Sequence, residues 1–180
     1  MCFRYYGLES GDTLIQVYTG DGKGKTTAAL GLALRAAGAG FKVYIAQFVK
    51  GRQYSELNSL KKIKNVKVEQ FGRSCFIKES PVQKDIELAK QGFERIKNIF
   101  SLKKYNVIIL DELNIALMFG LLKVNDILDV LKKVPRSTEV IITGRYAHPE
   151  IIKMADLVSE IKQIKHYFNK GIKAREGIEF

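Results

Sequence analysis

Thr19-Gly20-Asp21-Gly22-Lys23-Gly24-Lys25-Thr26-Thr27 limits what this chain can fold into more than any other stretch. Its second half, Gly-Lys-Thr, closes a phosphate-binding loop, whose pattern is a Gly, four free positions, then Gly-Lys-Ser/Thr. Its first half departs from that pattern. The position five before Gly24 is Thr19, and a count from Gly20 is one residue short. Upstream, Leu14-Ile15-Gln16-Val17-Tyr18 alternates and is rich in strand formers, which predicts a strand. Downstream, residues 26–37 are rich in Ala and Leu and lack Pro, which predicts a helix. Glycines between the two let several backbone N–H groups converge. The helix start adds a partial positive charge. In such a cradle Lys25 neutralises phosphate and the Thr26 hydroxyl ligates magnesium. A dinucleotide-type Gly-x-Gly-x-x-Gly reading fails, because Lys25 stands where its third Gly belongs.

The rest of the chain alternates between strand and helix patterns. Strands are predicted over residues 42–48, 66–71, 107–110, 139–143 and 157–161. Helices are predicted over 55–63 with Ser55 as N-cap, 82–102, 125–134 ending at Pro135, and 149–154. In the longest helix Ile86, Ala89, Phe93, Ile96, Ile99 and Phe100 share one face. Val107-Ile108-Ile109-Leu110 is a continuous apolar run, as in a strand covered on both faces. This alternation predicts an α/β fold with a mostly parallel sheet of about six strands and helices on both faces. At 180 residues one domain is expected, 1–180, with a core over 13–161 and a tail over 162–180. That tail is basic and aromatic and follows neither period; its aromatics and Ile178 predict that part of it packs near the active site.

Composition narrows the partners. Thirty Lys and Arg against nineteen Asp and Glu give a net charge of +11, which suits anionic ligands. The charges are dispersed as isolated pairs such as Lys61-Lys62 and Lys103-Lys104, with no long basic run or arginine-rich arm, so no nucleic-acid partner is expected. Cys2 and Cys75 lie far apart, which argues against a disulfide framework and a structural zinc site. No apolar signal core and no run of membrane-spanning length is found, so no membrane role and a reducing cytoplasm are expected.

Several residues fall at the carboxyl ends of predicted parallel strands, where ligands bind in such sheets. Asp111 and Glu112 directly follow Leu110 and pair naturally with Lys25 and Thr26 as a nucleotide–magnesium site. Arg145, after Thr143-Gly144, is placed to stabilise phosphate charge. Gln47 and Lys50 end the second strand on the same rim. His148, just before Pro149, is placed to cap a helix, and His166 has no second ligand near it.

Six stretches together carry a resemblance. They are Thr19 to Thr27, Gln47-Phe48-Val49-Lys50-Gly51, Leu110-Asp111-Glu112-Leu113, Val140 to Arg145, Ala155 to Glu160, and the tail from Lys165 to Phe180. The chain resembles the P-loop-type ATP:corrinoid adenosyltransferases, also called cob(I)alamin adenosyltransferases, over about residues 14–180. The resemblance implies a P-loop NTPase-like (RecA-like) domain and a transfer of the 5′-deoxyadenosyl group of ATP to Co(I) of cobalamin or cobyrinic acid a,c-diamide. Tripolyphosphate leaves, and the setting is cobalamin biosynthesis or salvage. It implies ATP contacts at Thr19, Gly20, Asp21, Gly22, Lys23, Gly24, Lys25, Thr26, Thr27, Arg35 and Gln47. It gives catalytic roles to Lys25, Arg145 and Glu112, and metal contacts to Thr26, Glu112 and Asp111, with Mg2+, or Mn2+ in its place, as cofactor. It further implies a flavoprotein reductase as electron donor and a homodimer. In family members the loop after the third strand bears aromatics, including a Trp. This chain has no Trp, and its corresponding stretch offers Cys75 and Phe76 for the corrinoid.

Two other readings of the loop remain open from the residues alone. One is a small-molecule kinase or ATPase using it for phosphoryl transfer. The other is a nucleic-acid-dependent ATPase, which would need a concentrated basic stripe with interleaved aromatics. A thymidine-kinase-like arrangement would need a zinc-binding cysteine set that the chain lacks.

Overall fold

The computed structural model describes residues 13–75, 77 and 80–180. Six segments pair as strands: β1 Leu14–Thr19, β2 Val43–Phe48, β3 Val66–Phe71, β4 Val107–Asp111, β5 Glu139–Thr143 and β6 Leu157–Glu160. They form one sheet in the order β3-β2-β4-β5-β1-β6, with every pairing parallel. The sheet is therefore parallel throughout. The helices are α1 Lys25–Gly38, α2 Ser55–Leu60, α3 Gln83–Ser101, α4 Leu113–Met118, α5 Val124–Leu131 and α6 Pro149–Met154, followed by a 3-10 helix at Tyr167–Lys170.

The helices cover both faces. On one face Ala29, Ala33 and Ala36 of α1 and Leu60 of α2 pack on Val43, Ile45, Ile109 and Ile141. Three small side chains at helical spacing let α1 lie close to the sheet. On the other face Ala89, Ile96 and Ile99 of α3 join Leu113, Ile127 and Ile151 against Val17, Tyr44, Phe48, Leu110 and Ile142. The interior strands β2 and β4 are buried at every position, including the polar Gln47 and Asp111 at their carboxyl ends. No helix among the described residues is long and apolar enough to cross a membrane.

Local differences from the sequence expectations have physical causes. Ser55 is not an N-cap. Tyr54 holds that position in an extended conformation, and the Ser55 hydroxyl donates instead to the Phe180 carbonyl at 3.0 Å. Helix α5 ends at Leu131, before Pro135, because Lys133 and Val134 donate to Val130 and Leu131 in tight i−3 turns. Helix α4 has no counterpart in the sequence reading, since six residues of mixed apolar character are too few to show a period. His148 does cap α6, its Nδ1 accepting from the Glu150 N–H at 3.2 Å ahead of Pro149 at the first helical position.

A polar cluster ties β3 to α3. Glu69 accepts from the Tyr44 hydroxyl at 2.5 Å and from Arg95 at 2.7 and 3.2 Å, and pairs with Lys67 at 3.0 Å. Burial pushes the Glu69 carboxyl up, but these donors outweigh it and hold its pKa at about 2. A carboxyl depressed in the folded state contributes stability above its unfolded value of 4.5, and that stability is lost as pH falls toward 2. Glu69→Gln is expected to flatten the fall of Tm between those two pH values. An acid limb as steep as that of the unsubstituted protein would mean the cluster is not linked to folding.

Candidate active site

Backbone hydrogen bonds anchor the loop after β1 to the chain leaving β6. The Gly22 N–H donates to the Ile161 carbonyl at 2.8 Å, and the Ile161 N–H donates to the Thr19 carbonyl at 2.9 Å. Gly20 sits at φ 94. A Cβ on it would lie 2.5 Å from the Ile161 carbonyl oxygen, so the approach to the chain leaving β6 requires glycine. Gly24, at φ 122, starts α1. Among the described residues no backbone N–H from Lys23 to Thr27 finds a protein acceptor, which leaves an anion cradle's donors free. Lys25 is buried and its ammonium donates to the Gly22 carbonyl at 2.7 Å. Burial lowers its pKa.

The order of strands brings the ends of β2, β4 and β5 beside this loop. Asp111, wholly buried at the end of β4, is the hub. Its Oδ1 accepts from Thr26 at 2.9 Å and Thr143 at 2.7 Å; its Oδ2 accepts from Lys50 at 2.8 Å and Gln47 at 3.2 Å. Burial pushes the Asp111 carboxyl up, but the Lys50 charge and the hydrogen bonds outweigh it and hold the pKa below the usual value. Glu112 behaves oppositely. It adopts a left-handed conformation, φ 58, that only a constrained backbone imposes on a non-glycine residue. Its carboxylate has no hydrogen-bond or ion-pair partner among the described residues, and burial together with the Asp111 charge raises its pKa. One acid is therefore saturated by protein donors and its neighbour is open.

A model of the ATP:corrinoid adenosyltransferase BtuR/CobO/CobP family matches residues 11–180. The chain belongs to this family. It is 34% identical over 167 residues to the corrinoid adenosyltransferase of Escherichia coli strain K12, covering 93% of this chain and 85% of the relative. It is 36% identical over 171 residues to a corrinoid adenosyltransferase of Sinorhizobium sp, covering 93% and 80%. Among solved structures, the KaiC-like protein PH0186 of Pyrococcus horikoshii OT3 superposes with a TM-score of 0.55 at 15% identity, over 86% of this chain and 74% of that one. That likeness supports the RecA-like architecture and nothing finer.

Within this adenosyltransferase framework the sequence-predicted residues separate into groups. Gly20, Gly22, Gly24, Lys25, Thr26, Asp111 and Glu112 converge on one rim. Arg145 is exposed on the turn after β5, near enough for its charge to bear on both Lys25 and Glu112. Thr19 is buried and its hydroxyl accepts from the Ala147 N–H at 3.3 Å, which ties the loop to that turn. Asp21 caps the Gln163 N–H at 3.3 Å, and Thr27 is exposed on α1. Gln47 lies beneath the site, bonded to Asp111 and Gln70, with no exposed surface to offer a nucleotide.

Two placements differ from expectation. The Lys23 side chain turns away from the cradle: its ammonium donates to the Tyr167 hydroxyl at 2.8 Å, the Ile178 carbonyl at 3.1 Å and Glu179 at 2.6 Å. All three of its donors hold the tail. Arg35 stands in the last turn of α1, roughly 15 Å along the axis from Lys25. Its charge bears on Tyr18, whose hydroxyl points down the strand to Gln16. The structure does not bring Arg35 to the loop. Cys75 is exposed beyond β3 and has no disulfide partner among the described residues, and Phe76 lies outside them. Lys50 is the residue that sequence reasoning put on the rim without a role. The signal was available in its position after a buried strand, but its partner is set by β2 lying next to β4.

Proposed function

We propose that this chain transfers the 5′-deoxyadenosyl group of ATP to the Co(I) centre of a corrinoid, cobalamin or a precursor such as cobyrinic acid a,c-diamide. The observation that carries the reading is the altered phosphate loop of a chain that matches the adenosyltransferase family from residue 11 to residue 180. The Co(I) electron pair forms a bond to C5′, the C5′–O bond breaks, and tripolyphosphate departs with the bonding pair. The nucleophile belongs to the corrinoid, so the protein's task is to hold two substrates in line and to receive negative charge on the leaving group. Free N–H groups at Lys25 to Thr27, the Lys25 ammonium and Arg145 serve that task.

The donors on the rim suit magnesium. Thr26 offers a hydroxyl, Glu112 a carboxylate with no partner among the described residues, and Asp111 the carboxylate oxygen that Lys50 engages, all hard oxygen ligands. No cluster of three or more His, Cys, Asp or Glu gathers among the described residues. Magnesium prefers one or two carboxylates plus substrate phosphates to an all-protein cage, and manganese accepts the same oxygens. When bound it would supply charge compensation to the polyphosphate. The same reading takes residues 1–180 as one nucleotide-binding domain whose tail, through Lys23 and Ser55, borders the site. It also carries a homodimer, a cytoplasmic setting, and a flavoprotein reductase that delivers the electron to Co(II).

A product assay tests the proposal. With ATP, magnesium and chemically reduced cobalamin, a light-sensitive adenosylated corrinoid and tripolyphosphate are expected. ADP and orthophosphate with an unchanged corrinoid spectrum would instead mark a phosphotransferase or ATPase.

A further inference from the structure

We propose that Lys50 is a resident cation that closes the metal side of the site until a polyphosphate arrives. This rests on the reading of the rim as a nucleotide–metal site. The Lys50 ammonium lies between the Thr26 hydroxyl, at 3.1 Å, and Asp111 Oδ2, at 2.8 Å. A hydroxyl and a carboxylate at this place in a phosphate-loop site are where a divalent cation is held. Asp111 has about four lone-pair sites, and Thr26, Thr143, Gln47 and Lys50 fill them. Three of those donors are neutral and fixed on strands or a helix start. Lys50 alone is charged and sits on a flexible stem, so it is the donor that a competing cation can displace.

The backbone is built to deliver this side chain. Val49, a β-branched residue, is held at φ 57, a conformation such residues rarely adopt. The turn that follows is pinned by two glycines back to back. A Cβ on Gly51 would lie 2.1 Å from the Gly72 carbonyl oxygen, and a Cβ on Gly72 would lie 2.3 Å from the Lys50 nitrogen. The Val49 N–H donates to the Phe71 carbonyl at 3.1 Å, fixing the same turn from the other side. Strain of this kind persists where the surroundings over-determine it, and it concentrates at functional sites. The Tyr54 ring, 5.6 Å from the ammonium, shields it further.

The consequence is an order of events. Without nucleotide, a divalent cation must compete with a tethered ammonium for Asp111 and Thr26. A triphosphate in the cradle offers Lys50 a second anionic partner, and the oxygens it leaves become available. Lys50 is thus a positioning residue for the metal. Mn2+ titrations followed by electron paramagnetic resonance, with and without ATP and without corrinoid, test this directly. The unsubstituted protein should bind Mn2+ weakly alone and at least tenfold more tightly with ATP. Lys50→Met and Lys50→Gln should bind Mn2+ alone at least tenfold more tightly than the unsubstituted protein, and Lys50→Arg should restore the original weakness. Gln keeps a hydrogen-bond donor, so it serves if the Met variant does not fold. Equal nucleotide-free Mn2+ affinity across all four proteins would overturn the proposal while leaving the metal–nucleotide site intact. Failure of all four proteins to bind Mn2+ even with ATP would overturn the metal–nucleotide reading itself.

Discussion

Lys25→Ala is expected to lower adenosylation of pre-reduced corrinoid at least a hundredfold, with thermal stability nearly unchanged. Removal of one preorganised charge-stabilising donor from a site where charge develops typically lowers turnover by about 10²–10³. Lys25 is the only ammonium buried within the loop itself, since Lys23 is committed to the tail. Its single acceptor among the described residues is the Gly22 carbonyl, and burial lowers its pKa, so the fold tolerates this charge more than it gains from it. Loss of the side chain should therefore damage transition-state stabilisation and spare folding. The check is paired: initial rates of adenosylated corrinoid formation under saturating ATP, and thermal unfolding of the same preparation. Near-normal rates would remove Lys25 from the leaving-group site. A collapse of Tm alongside the rate would make its role structural.

Much of the fold was legible because it rests on patterns that local sequence carries. Val107 to Leu110 and Val140 to Ile142 are buried on both sides, so their apolar runs name them as interior parallel strands. The Ala- and Leu-rich run announced α1, but the face it buries is that of Ala29, Ala33 and Ala36, while Leu34 is exposed. The short helix α4 was not legible, because Leu113, Asn114 and Ala116 are all buried and no polar face remains to mark a period. The tail followed neither period, and although its aromatics and Ile178 predicted packing, Phe168 and Ile178 are exposed. Its order comes from Lys23, Tyr167, Arg175 and Glu179 meeting across more than a hundred residues of sequence.

The candidate site divides along the same line. The glycines, Lys25, Thr26, Asp111 and Glu112 were readable because each abuts a strand end or helix start that the pattern locates. What the residues do there depended on neighbours. Asp111 and Glu112 are adjacent in sequence, yet one is buried under four donors and the other is open, a distinction created by the left-handed turn at Glu112. The family resemblance implied ATP contacts at Lys23 and Arg35. Helical rise carries Arg35 away, and the tail captures Lys23.

Asp111→Ala is expected to destabilise the protein by about 3–5 kcal/mol, the usual cost of leaving a buried charge without its partner. For a chain of this size that corresponds to a fall in Tm of roughly 6–20 °C. The substitution strands the Lys50 ammonium in a nearly buried position and removes the acceptor of the Thr143 hydroxyl and of the Gln47 amide below it. Much of the loss should be the penalty on Lys50 and not the net worth of the pair. A double-mutant cycle separates the two. If that account holds, Lys50→Met combined with Asp111→Ala should be clearly more stable than Asp111→Ala alone, because the unpartnered charge has gone. Strictly additive losses, with the double variant the least stable of the set, would show that Lys50 and Asp111 do not act as a coupled pair, and would also weaken the case for a lysine that yields its carboxylate to an incoming cation.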